Sequence, residues 1–369
     1  MPLIDIVQDG KKLKTSSSFF RGDDTNYYPR DSSLETDDVV STYIAKGWMP
    51  RRRFITAKTP IVAFGSCFAE NISKHFLKLG FNILTKQDNA AYITKMGDGI
   101  VNTFAIRQQF EWAWENKTPK AALWHGYDAG SFGYDEQVRI ETKALFDAAE
   151  VFIITLGLSE IWYDEPTGEV FWRAVPIEKH DPSRHKFRLS THGENLANLR
   201  RIHELIREHR PEAAIVLTVS PIPLYATFRD LACIVANGAS KAILRSAVEE
   251  FMQTTAQGDG RLYLFPSYEV VNDLYSHQWG PDRRHVYGHV LNFNMRLFER
   301  YFCETRLNDA ALLKAFRRSQ ELDRLIAREG HEAMARGKPE PEPAPAAPRR
   351  RKGMKGLIRR LLKRFRARK

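Results

Sequence analysis

Short apolar runs separated by stretches of helical spacing dominate the chain from residue 61 to about residue 303. The runs at 61–64, 151–156, 214–219 and 261–265 are short and bounded by turn residues, so they are read as buried strands of a parallel sheet. Between them apolar residues recur every three or four positions at 68–79, closed by Gly80; at 103–114, opened by Asn102 or Thr103; at 195–209; and at 239–255. Each of these stretches predicts a helix. Helical spacing resumes at 291–303, and a charged helical stretch continues to about Arg336. Strands that alternate with helices imply right-handed βαβ crossovers and an α/β fold, a three-layer α/β/α sandwich on a parallel sheet. Such a sheet gathers its functional groups at the carboxyl ends of the strands, where the strand order switches.

Outside that pattern the chain reads differently. Residues 1–53 mix polar runs, Asp-rich turns and aromatic pairs with no sustained period, which predicts an irregular lead-in packed on the domain. The α/β domain is expected over 54–310 and a helical extension over 311–337. Residues 338–348 alternate proline with Glu and Ala, a stiff polyproline-type spacer, and residues 349–369 form a basic tail.

Composition changes the picture mainly through that tail. The 369 residues carry a formal net charge of +11, but 349–369 alone hold twelve Lys and Arg and no acid, so the remainder carries −1, the difference of the two. A body of ordinary charge gives no reason of its own to bind nucleic acid. The chain has three cysteines, Cys67, Cys233 and Cys303, an odd number without metal-ligand spacing, so no disulfide framework, metal site or cofactor is expected. Asp5, Asp9 and three lysines stand where a secretory signal would be apolar, and no run has the length of a membrane span, which predicts a cytoplasmic protein.

Two segments carry candidate chemistry. The run 61–64 leads directly into Gly65 and Ser66 and then into a helical pattern whose Phe68, Ile72, Phe76 and Leu79 share a face. Ser66 is therefore predicted at a strand-to-helix turn, where free N–H groups of the first helical turn face developing negative charge. An ordinary turn with Ser66 as helix N-cap is the competing reading. After the last predicted strand comes Asp282-Arg283-Arg284-His285. An Asp three residues before a His can hold the ring in the tautomer that takes a proton from a serine hydroxyl, although a surface Asp capping the next helix satisfies the same spacing.

The combination is more specific than either segment. Residues 65–69 spell Gly-Ser-Cys-Phe-Ala, and the chain resembles the GSCFA family, which is similar to the SGNH or GDSL hydrolases. Three further segments agree with that family: Thr-Leu-Gly-Leu-Ser-Glu-Ile-Trp at 155–162, Thr-Val-Ser-Pro-Ile-Pro-Leu at 218–224, and Asp282 to His285. The resemblance covers roughly 61–302. It implies a flavodoxin-like three-layer fold with Ser66 as catalytic nucleophile and Asp282 and His285 as its activating pair, and it suggests bacterial relatives acting on an acylated glycan or another acyl ester. Ester hydrolysis is the first expectation, O-acyl transfer to a polysaccharide the second, and a decayed module that only binds a glycan or partner the third.

The SGNH pattern also requires oxyanion donors, and here the chain departs from it. The expected Asn is replaced by Ser159, so Gly157 and Ser159 on one side and Asn102 on the other become the candidate donors. Glu160 would oppose the developing charge and is expected to turn away toward an arginine. Cys67 invites a rival thiol nucleophile and is assigned to packing. His180, Arg184 and His185, in a segment rich in polar groups, are candidate substrate-binding residues, with a solvated loop as the alternative.

In the tail, Met354, Ile358, Leu361 and Phe365 recur at spacings of four, three and four among Lys and Arg. That pattern predicts a cationic amphipathic helix lying on an anionic membrane surface, hence peripheral attachment at the inner face. A nucleic-acid tail would explain the charge but not the apolar stripe, and ranks second.

Overall fold

The computed structural model describes residues 3–8, 11–16, 19–21, 25–126 and 133–332. The expected proline-rich spacer at 338–348 and basic tail at 349–369 lie outside the described residues. In chain order the elements are strands β1 (Leu3–Gln8), β2 (Lys11–Ser16) and β3 (Ile61–Phe64), helices α1 (Cys67–Lys78), α2 (Tyr92–Lys95), α3 (Thr103–Glu115) and α4 (Glu136–Ala148), strands β4 (Val151–Leu156), β5 (Glu160–Asp164), β6 (Glu169–Val170) and β7 (His185–Leu189), helix α5 (His192–His209), strand β8 (Ala214–Val219), helix α6 (Cys233–Thr255), strand β9 (Leu262–Leu264), and helices α7 (Ser267–Asp273), α8 (Gly288–Phe302) and α9 (Asp309–Glu329).

The central sheet is parallel, in the order β3-β4-β8-β9. On the free edge of β3, Ile61 makes a parallel bridge to Ile83 after α1. With that rudimentary strand counted, the spatial order is 2-1-3-4-5, the doubly wound arrangement whose switch point lies between β3 and β4.

Alternation along the strands builds the three layers. Val62, Phe64, Phe152, Ile154, Ile215 and Leu217 point to one face, where α3, α4, α5 and α6 cover them. Ile61, Ala63, Val151, Ile153, Ala214 and Val216 point to the other, beneath α1, α7, α8 and α9. Period-2 burial on both faces is what a sheet sandwiched between helices requires. Helix α1 buries Phe68, Ile72 and Phe76 fully, each contributing about 1.5–3 kcal/mol. Leu79, expected on that face, is exposed, because the helix ends there and Gly80 turns away at φ 84°.

The chain also holds elements its pattern did not announce. Strands β1 and β2 pair antiparallel within the stretch read as irregular, and Val39, Val40 and Ile44 from the same stretch join the core under α1 and α8. Strands β6-β5-β7 form a second, antiparallel sheet just after β4. Helix α5 starts three residues before its predicted limit, fixed by a capping box in which Thr191 accepts from the Glu194 N–H while the Glu194 carboxylate accepts from the Thr191 N–H. No helix among the described residues is long and apolar enough to cross a membrane.

Candidate active site

At the carboxyl end of β3 the chain turns sharply. Gly65 adopts φ +124°, and a Cβ there would lie 2.1 Å from the Thr155 carbonyl oxygen of β4, so both backbone conformation and space demand glycine. Its N–H donates to the Gly97 carbonyl at 2.8 Å. Ser66 follows in extended conformation, and its Oγ accepts the Phe68 N–H at 3.1 Å. The N-cap reading is thus realised, and the same geometry holds the hydroxyl at the switch point, 4% exposed, with no acceptor for its own proton among the described residues. The Cys67 N–H, next along the chain, has no acceptor among the described hydrogen bonds and stands at the positive end of α1.

The second segment forms a tight loop before α8. Asp282 Oδ1 accepts the backbone N–H groups of Arg284 and His285, each at 3.1 Å, and Oδ2 pairs with His285 Nδ1. The His285 N–H above all, then the ring, then the Arg284 N–H hold the Asp282 carboxyl down at about 2. Arg283 takes φ 56° to close the loop, a left-handed conformation uncommon for a residue with a side chain. The His285 side chain is 76% exposed. No hydrogen bond joins it to Ser66 Oγ among the described residues. The charge of Arg284, next to His285, opposes the upward shift that burial and Asp98 impose on the Cys67 thiol beside Ser66.

The fold engages the three candidate oxyanion donors elsewhere. Asn102 caps α3, its Oδ1 accepting from the Ala105 N–H at 2.8 Å, with Nδ2 3.4 Å from the Trp172 carbonyl. The Gly157 N–H donates to the Val101 carbonyl at 2.8 Å. Ser159 is fully buried and its hydroxyl donates to the Ser240 carbonyl at 2.6 Å, while its N–H donates to Ser240 Oγ. These groups stitch β4, α3 and α6 together, which leaves the first turn of α1 as the source of free N–H groups. Glu160 turns toward Arg229, 3.5 Å away, and accepts from the Thr227 hydroxyl at 3.0 Å.

The candidate substrate-binding residues lie at the start of β7 and in the connection that leads into it. Arg184 makes a two-pronged pair with the buried Asp164, both bonds 2.9 Å. His185 Nδ1 accepts the Asp181 N–H at 3.1 Å, and the His180 ring meets Trp162 edge-on. Arg184 and His185 line a cavity of about 360 Å³ with Lys179 and Asp181, and its walls include none of Ser66, Asp282 and His285. A larger hollow of about 1520 Å³ opens beside Val151, Ala214 and Leu262, at the amino ends of the strands and away from the switch point.

One residue at the site escaped the sequence reading. Lys241 on α6 is 2% exposed, and its Nζ donates to the Gly157 carbonyl at 2.6 Å and the Ser220 carbonyl at 2.7 Å. Those carbonyls follow the paired residues Leu156 and Val219 at the carboxyl ends of β4 and β8. Burial pulls the Lys241 ammonium down to about 7. A signal was present: Lys241, Leu244, Val248 and Phe251 share the buried stripe of α6, where a lysine is out of place.

Cys67 is half-buried, and burial first, then the charge of Asp98, raises its thiol against the opposing effect of Arg284 and Lys241. A thiol held protonated is a poor nucleophile, which weighs for Ser66. Among the described residues no group of three or more His, Cys, Asp or Glu is placed to hold a metal ion. Residues 60–298 match the GSCFA family. No curated protein matches the chain.

Proposed function

The chain belongs to the GSCFA family, and from that membership and the geometry of the switch point we propose that it is a serine-dependent acyl-ester hydrolase. The observation that carries this reading is the loop in which Asp282 grips the His285 ring through Nδ1, leaving the other ring nitrogen exposed at the same end of the fold as the Ser66 turn.

Ser66 Oγ attacks the acyl carbonyl carbon as its proton passes to His285 Nε2, and Asp282 stabilises the resulting imidazolium. The carbonyl oxygen becomes an oxyanion facing the N–H groups at the start of α1. Collapse breaks the ester C–O bond, His285 returns the proton to the leaving alcohol, and an acyl-Ser66 remains. Water, deprotonated by His285, then releases the acid and restores Ser66. If a glycan hydroxyl takes the place of water, the same site performs O-acyl transfer. The Ser66–His285 hydrogen bond belongs in this scheme to the substrate-bound state, since catalytic contacts commonly tighten there. The proposal extends to an acylated glycan as substrate, and to residues 349–369 as a contact for an anionic membrane surface at the cytoplasmic face.

A second reading has its own support. Ser66 and His285 are not hydrogen-bonded to each other, and the Gly157 N–H and Ser159 hydroxyl are engaged within the fold, as in a site retained only to bind. The two readings separate by treating the full chain with a fluorophosphonate probe and with p-nitrophenyl acetate. A hydrolase forms a Ser66 adduct that Ser66→Ala and His285→Ala abolish, and releases p-nitrophenol in the same pattern. An unlabelled, inert but folded wild type supports the binding module.

A further inference from the structure

Arg284 contrasts with several arginines of the fold that carboxylates close. Arg184 is closed by Asp164, Arg188 by Glu194, Arg207 by Asp259, Arg229 by Glu160 and Arg245 by Glu249 and Glu269. Arg284 has no carboxylate partner among the described residues. Its Nη2 reaches only the Pro223 carbonyl, at 3.4 Å, and its Nε is buried with no acceptor. The guanidinium lies 4.9 Å from the centroid of the Tyr225 ring, which is itself 83% exposed. The ring contact helps to position the guanidinium, whose Nη1 has no partner among the described residues and whose Nη2 makes only the long bond to Pro223.

A partly desolvated cation without a counter-ion is unfavourable, and an anionic ligand offsets that cost. Position decides which ligand. Arg284 immediately precedes His285, and its charge reaches the thiol beside Ser66. The other charged groups acting on that thiol are Lys241, already holding two carbonyls, and Asp98, which acts in the opposite sense. An anion drawn to this end of the site therefore has the Arg284 fork, over Tyr225, as its open partner.

Resting on the hydrolase reading of the same site, we infer that Arg284 determines specificity: it binds a carboxylate or phosphate group carried by the substrate a few bonds from the ester carbonyl, so the substrates are esters of acidic molecules. Carboxylate and phosphate oxygens share the chemistry that a guanidinium fork recognises, two parallel charge-assisted hydrogen bonds.

Two measurements on the full chain test this. The first is binding of succinate, inorganic phosphate and neutral succinamide, followed by NMR, to wild type, Arg284→Met and Arg284→Lys, with folding checked by circular dichroism. The inference expects at least one anion to bind saturably, about tenfold or more weaker in Arg284→Met, intermediate in Arg284→Lys, and weaker with added salt, while succinamide does not bind. The second is the ratio of kcat/KM for p-nitrophenyl hemisuccinate to that for p-nitrophenyl butyrate, expected to favour the anionic ester in wild type and to collapse in Arg284→Met. Absence of anion binding, or binding that Arg284→Met and Arg284→Lys both leave unchanged, overturns the inference even where Ser66-dependent turnover is intact. Arg284-dependent anion binding with no ester turnover upholds the anion site and fells the hydrolase reading instead.

Discussion

Lys241 Nζ donates to the Gly157 carbonyl at 2.6 Å from inside the protein. With its second bond, to Ser220, the ammonium cross-ties the ends of β4 and β8 beside the nucleophile turn. The group is nearly fully buried and titrates at about 7, well below the ordinary lysine value of about 10.4 in an unfolded chain. Between those two values the unfolded state binds more protons than the folded one, so stability rises with pH across the window. Urea unfolding of wild type and Lys241→Met from pH 7 to 10 is expected to show the wild type gaining on the variant by about 1 kcal/mol per pH unit. Parallel curves would mean that Lys241 does not titrate in this range.

Gly65 leaves no room for a side chain. Gly65→Ala forces a Cβ against the Thr155 carbonyl at a φ that L-residues rarely adopt. Strain and overpacking together are expected to cost about 2–4 kcal/mol in urea unfolding. A variant within about 0.5 kcal/mol of wild type would show that the β3–β4 contact is loose.

Glu160 is buried and depends on Arg229. Removing the cation leaves a carboxylate with only the Thr227 hydroxyl to support it. Arg229→Ala is expected to lose about 2–4 kcal/mol, less than a fully buried pair because Arg229 is partly exposed, and Glu160→Gln to lose less than half as much. Chemical denaturation of both variants and the double variant measures the coupling, and equal losses in the two single variants would contradict it.

Asp282 is held ionised down to about 2, chiefly by the His285 backbone N–H. A carboxyl lowered by folding contributes stability above its unfolded value of about 3.9, and that contribution disappears as pH falls toward 2. Because the leading donor is backbone, His285→Ala should move the Asp282 carboxyl titration upward yet leave it below the ordinary range, as read by carbonyl-carbon NMR. Return to the ordinary value would place the effect in the imidazole alone. In the proposed hydrolase, Asp282→Asn should lower kcat by about a hundredfold or more, the ring losing its orienting partner.

Much of this arrangement was legible along the chain. The apolar runs at 61–64, 151–156 and 214–219 coincide with β3, β4 and β8, because strands buried on both faces must be continuously apolar. Ser66 was legible as the start of a helix, and Asp282 and His285 as a local pair, since both features rest on contacts within three residues. The second sheet was not. Its strand β5 reads Glu-Ile-Trp-Tyr-Asp, without clean alternation, and pairs with residues 185–189 across a long connection. The Arg184–Asp164 pair was not legible either, because the two residues are 20 positions apart and come alongside only when β5 and β7 pair.

By itself, then, the sequence determined the layers, the strand-to-helix turn at Ser66 and the Asp282–His285 loop, each set by short-range pattern, glycine conformation and residue spacing. The tertiary structure alone decided that Gly157 and Ser159 are engaged within the fold, that Lys241 ties two strand ends beneath the crevice, and that Arg284 has no carboxylate partner among the described residues. Those outcomes depend on which donors and acceptors distant segments bring within 3.5 Å of each other. Burial then sets the cost of leaving any of them unpaired.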